Sequence, residues 1–239
     1  KYELPEIFFA RRKELLISFV VFFVAIVIGV VSSEGDTGFV RLILGDSYVN
    51  MTQENIKNDD PLAVYKQMNG VDMFMGITFN NIRVSFYAFM AGLLLSVGTI
   101  LLLLYNGIML GTFHHLFYTQ DLLFKSLSIV WIHGTLEISS IIIAGAAGLI
   151  LGNSILFPKT YSRRQSFLIS AKDGVKIIIG LIPLFIVAGF LESFVTRFTQ
   201  MPIFINLTII LSSLLFIIWY VIIYPLKLSR REKNESTEN

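Results

Sequence analysis

Residues 131–152 read WIHGTLEISSIIIAGAAGLILG, an apolar stretch that carries a histidine and a glutamate near its start. A helix needs about 20 predominantly apolar residues to cross the hydrocarbon core of a bilayer, where an unpaired backbone amide finds no partner. The stretch therefore predicts a membrane-spanning helix. Its ionisable side chains, His133 and Glu137, must then face protein or water, because a charge at the bilayer centre costs about 3 kcal/mol or more.

The composition of the 239-residue chain also indicates a membrane protein. Apolar residues make up 54% and charged residues 15%, and the mean hydropathy is +0.71. So few charges cannot cover a water-facing surface. The chain has no cysteine and a net charge of only +2, which argues against disulfide scaffolds, thiolate metal sites and nucleic-acid-binding basic domains.

The other apolar runs bring the predicted number of crossings to six. We expect crossings at residues 15–32, 81–104, 108–118, 122–157, 174–194 and 203–224. The third is short, because Tyr105, Asn106 and Gly107 supply turn chemistry just before it. It is either a half-helix that re-enters on one side or a crossing completed by residues 101–104.

The basic residues set the predicted orientation. Arg11 and Arg12 precede the first run, Arg163 and Arg164 follow the fourth, and a basic segment ends the chain. Cytoplasmic loops carry an excess of Lys and Arg, so both termini are expected in the cytoplasm. Five crossings would place one of the basic segments outside. The predicted fold class is thus an all-α, polytopic membrane helix bundle of about six segments.

Residues 34–78 form the one extended polar stretch, and it carries seven acids against three basic residues. An acidic loop of this length translocates easily, so we expect it outside the cell. Apolar residues recur in it at loosely helical spacing, among them Val49, Leu62 and Tyr65. Short amphipathic helices on the outer surface are predicted.

In this orientation the histidines and the two intramembrane glutamates all fall in the outer half of the membrane. His133 and Glu137 are four residues apart and share one helix face. Either Glu137 pairs with His133 or an asparagine and fixes the helix register, or the group forms a proton, ion or metal site. No metal-ligand motif is present, so no metal is predicted. The candidate polar cluster comprises His133, Glu137, Glu192, His114, His115, Asn81, Arg83 and Asn106.

Small residues predict how the helices pack. Gly107 and Gly111 form one GxxxG pattern, and Gly148 and Gly152 form another, with Gly145 beside it. Such residues let two helix backbones approach closely. We expect a tightly packed bundle with a self-associating face, hence a homodimer.

Signatures of catalysis are missing from the sequence. There is no Gly-x-Ser-x-Gly nucleophile motif, Ser-Lys pair, phosphate-binding loop or dinucleotide fingerprint. An intramembrane hydrolase would need a water-accessible nucleophile that the sequence does not supply. Neither an enzyme nor a cofactor is predicted.

Four motifs occur together in order between residues 80 and 196. They are Asn80-Asn81-Ile82-Arg83, Tyr105-Asn106-Gly107 leading to Leu110-Gly111, His133-Gly134-Thr135-Leu136-Glu137, and Phe190-Leu191-Glu192-Ser193-Phe194-Val195-Thr196. As a set, they resemble the stage II sporulation protein M family.

The resemblance implies an integral membrane protein without known catalytic activity. In endospore formers the family's namesake anchors and recruits peptidoglycan-degrading enzymes at the septal membrane, and similar proteins occur in bacteria that do not sporulate. We therefore expect a scaffold whose partners are membrane lipids, a second copy and envelope proteins such as peptidoglycan hydrolases, with no nucleic acid. The alternative is a small transporter or lipid-handling protein that uses the outer His/Glu site.

The expected organisation follows from these segments. It comprises a cytoplasmic N-terminal segment (1–14), a first transmembrane helix (15–32), an external acidic segment (33–78), a family-like transmembrane core (79–226) and a cytoplasmic tail (227–239).

Overall fold

The structure is a computed structural model that describes residues 3–66 and 68–238, without the side chains of residues 232, 233 and 236–238. Residues 1, 2 and 239 of the two predicted cytoplasmic segments lie outside this range. Every regular element in the described part is helical, as predicted, and no strand occurs there. The α-helices are α1 (Glu3–Ala10), α2 (Arg12–Ser33), α3 (Thr37–Leu44), α4 (Asp46–Lys57), α5 (Gly70–Met90), α6 (Val97–Tyr118), α7 (Leu123–Leu156), α8 (Arg163–Phe190), α9 (Ile203–Ile218) and α10 (Tyr224–Glu238).

Shorter helical turns complete the chain. A 3₁₀ turn covers Ala63–Lys66 and another covers Ala91–Leu93. Two segments of π-helix, Leu191–Thr196 and Trp219–Ile223, extend α8 and join α9 to α10.

Among the described residues, five helical stretches are long and apolar enough to cross a membrane. They are Arg12–Ser33, Val97–Tyr118, Leu123–Leu156, Arg163–Thr196 and Ile203–Arg231. This result is consistent with a multi-pass membrane protein. Helix α5 is 21 residues long but is not among them, since Asn80, Asn81 and Arg83 interrupt its apolar sequence.

Helix α5 nevertheless runs along the bundle from end to end. Gly70, at its start, lies against Phe194 and Arg197 beyond the end of α8. Gly92, just after its last turn, lies against the backbone of Gly148 near the end of α7. The structure therefore contains a sixth long helix beside the five apolar ones.

Helix α7 is the centre of the bundle, and α9 lies at its edge. In α7, 67% of the most apolar window is buried, against 6% in the stretch that contains α9. Ile143, Ala144 and Ala147 of α7 pack against Ile177 and Phe185 of α8 in the main hydrophobic cluster. Small side chains on α7 allow this packing to be close on several faces at once.

The glycines of these patterns lie at contacts between helices of the same chain. A Cβ on Gly107 would lie 2.7 Å from the Phe22 oxygen of α2, and Gly111 faces the α2 backbone at Ile26. Gly148 faces Ala88 and Gly152 faces Ser96. Gly145 packs against Leu103 of α6 and Ser18 of α2. These GxxxG faces are therefore covered by helices of the same chain, and the prediction that they form a self-associating face is wrong.

The predicted boundary between the second and third crossings is also wrong. Residues 105–107 lie inside α6, which is unbroken there. The Asn106 side-chain amide donates to the Leu102 carbonyl oxygen at 2.8 Å. The chain turns instead at residues 91–96, where Leu95 and Ser96 have positive φ. Helix α6 is consequently a full-length 22-residue helix, so the third segment is neither short nor re-entrant.

Charged residues separate the two ends of the bundle. At the end that we call the basic end, Arg11 pairs with Asp173 at 2.8 Å and Lys176 pairs with Glu3 at 3.0 Å. The opposite end is covered by residues 34–66, which we call the acidic cap and which contain α3, α4 and the 3₁₀ turn. The predicted polar segment thus folds into short helices.

Candidate functional site

Three helices and one turn meet beneath the acidic cap and bring together ionisable side chains. His133 and Glu137 lie one turn apart on α7, where the i, i+4 spacing places both on one face. Glu192 belongs to the π-helical turn at the end of α8. A π-helical turn is a rare irregularity that occurs often at functional sites.

The ligating atoms of His133, Glu137 and Glu192 all lie within 4.8 Å of one another. His133 Nε2 is 3.8 Å from Glu192 Oε1, too far for a hydrogen bond. The His133 side chain is buried, and the Glu192 side chain is 15% exposed. We call these three residues the His-Glu-Glu cluster.

Thr196 holds the other side of the imidazole. His133 Nδ1 lies 3.0 Å from Thr196 Oγ1, a hydrogen-bond distance between two buried groups. With Nδ1–H donating to the hydroxyl oxygen, the lone pair of Nε2 is directed toward Glu192. Glu192 and Thr196 are four residues apart, so one turn of the chain supplies both neighbours of the ring.

Tyr65 closes the cluster from the side of the acidic cap. Its ring centroid lies 5.8 Å from that of His133, edge to face. Burial raises the pKa of Tyr65 well above its usual range, and the nearby Glu192 carboxyl raises it further. The phenol therefore stays protonated at neutral pH and presents a neutral polar group.

Further polar atoms surround the cluster. Asn81 of α5 is buried with its side chain beside the Glu137 carboxyl, and within the described residues its Nδ2 makes no hydrogen bond of standard geometry. In the part of the chain that the structure describes, three buried hydroxyls without hydrogen-bond partners lie close in sequence to these residues: Thr78 one turn before Asn81, Ser140 one turn after Glu137, and Ser193 next to Glu192. A buried polar atom without a partner costs about 1–3 kcal/mol, so this interior suits water or an ion better than a dry apolar core.

The structure brings three of the eight predicted polar residues into the cluster and places Asn81 beside it. The histidines of α6 are engaged elsewhere: His114 accepts from Trp131 Nε1 at 3.2 Å, and His115 lies 3.0 Å from Glu34. Arg83 donates to Asn80 on the exposed face of α5, and Asn106 bonds within α6. His114 and His115 therefore lie outside the His-Glu-Glu cluster.

No pattern in the sequence singles out Thr196 or Tyr65 as a site residue. The one available signal for Thr196 is that it follows Glu192 at the four-residue spacing that also separates His133 and Glu137. Tyr65 lies 68 positions before His133 in a polar stretch, where no pattern points to a buried ring.

An open groove lies next to the cluster at the acidic end. It has a volume of about 470 Å³ and is lined by Lys66, Arg197, Phe198, Thr199, Gln200 and Met201. Lys66 directly follows Tyr65 and Arg197 directly follows Thr196, and both of these neighbours contact His133. Of its two basic residues, Lys66 pairs with Asp60 at 2.7 Å and Arg197 donates to the Met68 carbonyl oxygen at 3.2 Å.

Comparison with known proteins gives one family. The family model described as Stage II sporulation protein M matches residues 18–197, about three quarters of the chain. The match contains the His-Glu-Glu cluster and also the acidic cap, so it begins well before the motifs at residues 80–196 from which the resemblance was inferred. It ends before α9. No match was found among curated proteins or among solved structures.

Proposed function

The chain belongs to the stage II sporulation protein M family, and we propose from this premise that it is a non-catalytic membrane scaffold. It recruits peptidoglycan-remodelling enzymes to the bacterial cytoplasmic membrane. The observation that carries the proposal is the acidic cap, an ordered helical layer fixed to one end of the bundle.

The cap is held by specific contacts rather than by a flexible connection. Asp36 caps α3 by accepting hydrogen bonds from the backbone amides of Gly38 and Phe39. Val40 and Val49 pack with Leu116 of α6 in a small hydrophobic cluster. A preformed surface loses little entropy when a partner binds, which favours recruitment.

The cap also presents negative charge. Glu54 and Asp59 are exposed on it, and Asp46 pairs with Arg41 while remaining largely exposed. A surface of one sign attracts and orients a partner that carries the opposite charge. The basic surface of an envelope enzyme is the partner that such a cap fits.

The proposal includes six crossings with both termini in the cytoplasm. The support is the length of α5 along the bundle and the location of Arg11, Lys176 and the α10 basic residues at the end opposite the cap. The positive-inside rule then puts the acidic cap outside.

A homodimer is also part of the proposal, but its interface is not formed by the glycine faces. The face of α9 that contains Leu207, Leu211 and Leu214 is exposed and apolar. We expect the Leu211→Cys variant to form an intermolecular disulfide in native membranes. The control variant Val175→Cys, on the exposed part of α8, should not. Equal crosslinking at both positions would remove the dimer from the proposal.

Partner retention tests the scaffold. Full-length protein is extracted with a mild detergent and purified by affinity, and peptidoglycan hydrolases that copurify are identified by mass spectrometry and assayed on peptidoglycan gels. We expect the double variant Glu54→Gln, Asp59→Asn to lose most of this hydrolase activity. The matched control, Glu6→Gln with Glu14→Gln at the basic end, removes the same charge and should retain it. Recovery of a monodisperse monomer without any hydrolase would contradict the scaffold proposal.

The His-Glu-Glu cluster favours a second candidate, a small transporter or lipid-handling protein. Two carboxylates and an imidazole at membrane depth are typical of ion or proton pathways. The guanidinium of Arg197, which lines the neighbouring groove, suits an anionic headgroup.

Transport is tested in proteoliposomes that contain the full chain. An internal pH dye and an internal zinc dye report the entry of protons and of Zn²⁺ after each is added outside. A flux that Glu192→Gln abolishes would support transport, and rates equal to those of protein-free vesicles for both probes would rule out these ions as substrates.

A further inference from the structure

We propose that His133, Glu137 and Glu192 bind one divalent transition-metal ion, with Zn²⁺ as the best-fitting member of the class. The ligands are His133 Nε2 and one carboxylate oxygen from each glutamate. This inference names the ligand of the site used by the second candidate, and it holds whether or not the chain transports ions.

The first argument is the direction of the imidazole. A metal-bound histidine nearly always donates its other N–H to a neighbouring oxygen, which fixes the tautomer and the ring orientation. His133 Nδ1 lies 3.0 Å from Thr196 Oγ1 in this manner. In the tautomer whose Nδ1–H donates to Thr196, Nε2 presents a lone pair to the Glu192 oxygen at 3.8 Å. Two acceptors that face each other in a buried space repel unless a cation lies between them.

The second argument is spacing. Zinc bonds to nitrogen and oxygen are about 2.0–2.2 Å long, so two ligands of a tetrahedral ion are about 3.4 Å apart. The separation of His133 Nε2 from Glu192 Oε1 is 3.8 Å, and all three ligating atoms lie within 4.8 Å of one another. Small rotations of the two carboxylates would complete the shell.

The third argument is charge. Two carboxylates close together in a low-dielectric region repel, and a buried charge is stable only when it is paired or coordinates a metal. One divalent ion balances Glu137 and Glu192 together. A mixed imidazole and carboxylate set suits zinc, iron or manganese, whereas magnesium and calcium prefer oxygen alone.

Isothermal titration of the chelator-treated, detergent-solubilised full chain tests the proposal. We expect one Zn²⁺ per chain, weaker binding of Mn²⁺ and no binding of Mg²⁺ at the same concentration. The Glu192→Gln variant should bind Zn²⁺ about 100-fold more weakly. The matched controls His114→Gln and Glu54→Gln, which change the same residue types outside the cluster, should bind as the parent does.

Several results would overturn the proposal: no stoichiometric Zn²⁺, equal affinity of the Glu192→Gln variant, or tight binding of Mg²⁺. If the Glu192→Gln variant does not fold, as judged by circular dichroism and gel filtration, X-ray absorption of the zinc-loaded parent protein decides. An imidazole nitrogen and carboxylate oxygens at about 2.0–2.2 Å are expected. A shell without imidazole would contradict the site. Retention of hydrolases is a separate readout, so failure of the scaffold and failure of the metal site remain distinguishable.

Discussion

At the scale of single residues, Thr196 determines how His133 is presented. Its hydroxyl lies within hydrogen-bond distance of Nδ1, and both groups are buried. Without that partner the ring could rotate or exchange tautomers, and Nε2 would no longer be fixed toward Glu192. In the proposed metal site, Thr196 is thus a positioning residue that acts through the imidazole.

Replacing Thr196 with valine should weaken Zn²⁺ binding about 10-fold, because loss of an outer-shell partner typically costs 10–100-fold in metal affinity. Valine keeps the shape of threonine, so the fold is expected to survive. Titration of the Thr196→Val protein measures the effect, and Thr208→Val on exposed α9 is the control. An unchanged affinity would show that Thr196 has no positioning role.

The sequence identified the pair on α7 because one helix contains both members at a spacing of four. Glu192 was found because a carboxylate in an apolar run is costly. Asn106 was misplaced because an asparagine before a glycine resembles a turn, whereas its side chain here bonds back to Leu102 inside a helix. Tyr65 could not be found, since only the three-dimensional path of the cap brings it to His133.

At the scale of elements, the turn between α5 and α6 is the least expected feature. It contains Leu95 at φ 54° and Ser96 at φ 68°, in the left-handed region that favours glycine. Nothing in the run of leucines marks a turn. Its position is determined by packing, because Ser96 contacts Asn153 of α7.

A glycine at position 95 should therefore be tolerated. Leu95→Gly removes about 1–2 kcal/mol of left-handed strain and adds up to about 1 kcal/mol of unfolded-state entropy. We expect a thermal midpoint in detergent equal to or above that of the parent. The control variant Leu94→Gly relieves no strain, because Leu94 has φ −81°, and it should lower the thermal midpoint. If both variants lose the same stability, the turn is not strained.

The crossing of α7 with α5 depends on Gly148. Its missing Cβ makes room for the Ala88 backbone oxygen and the Thr99 side chain. Gly148→Ala should cost about 1–3 kcal/mol through overpacking. Gly76→Ala, on the open face of α5, should instead stabilise by about 1 kcal/mol through helix propensity. Thermal unfolding in detergent compares them, and a stable Gly148→Ala protein would show that this crossing is loose.

Helix existence was predictable, but helix limits were not. Runs of apolar residues predict that α2, α7 and α9 exist. The limits of α2 and α7 agree within three residues, whereas α9 ends at Ile218, six residues before the predicted end. Helix α8 begins at Arg163, 11 residues before the predicted crossing, because a polar helical turn can extend beyond the membrane. Hydropathy reports the part in lipid and not where the helix ends.

At the scale of the whole molecule, charge divides the bundle into a basic end and an acidic cap. The sequence predicted this division, since it depends on the order of charged segments and not on packing detail. The cap's exposed acids lie at the end that also contains the His-Glu-Glu cluster. The scaffold proposal requires that this end faces outward.

Accessibility labelling tests most directly whether the acidic cap faces outward. The sequence has no cysteine, so an introduced cysteine is the one thiol that the reagent can label. Single variants Glu54→Cys in the cap and Ser162→Cys before α8 are treated in intact cells with a membrane-impermeant maleimide. We predict that the Glu54→Cys variant is labelled in intact cells. The Ser162→Cys variant should be labelled only after the cells are permeabilised. Labelling of Ser162→Cys in intact cells, with Glu54→Cys protected, would place the cap in the cytoplasm and contradict the account.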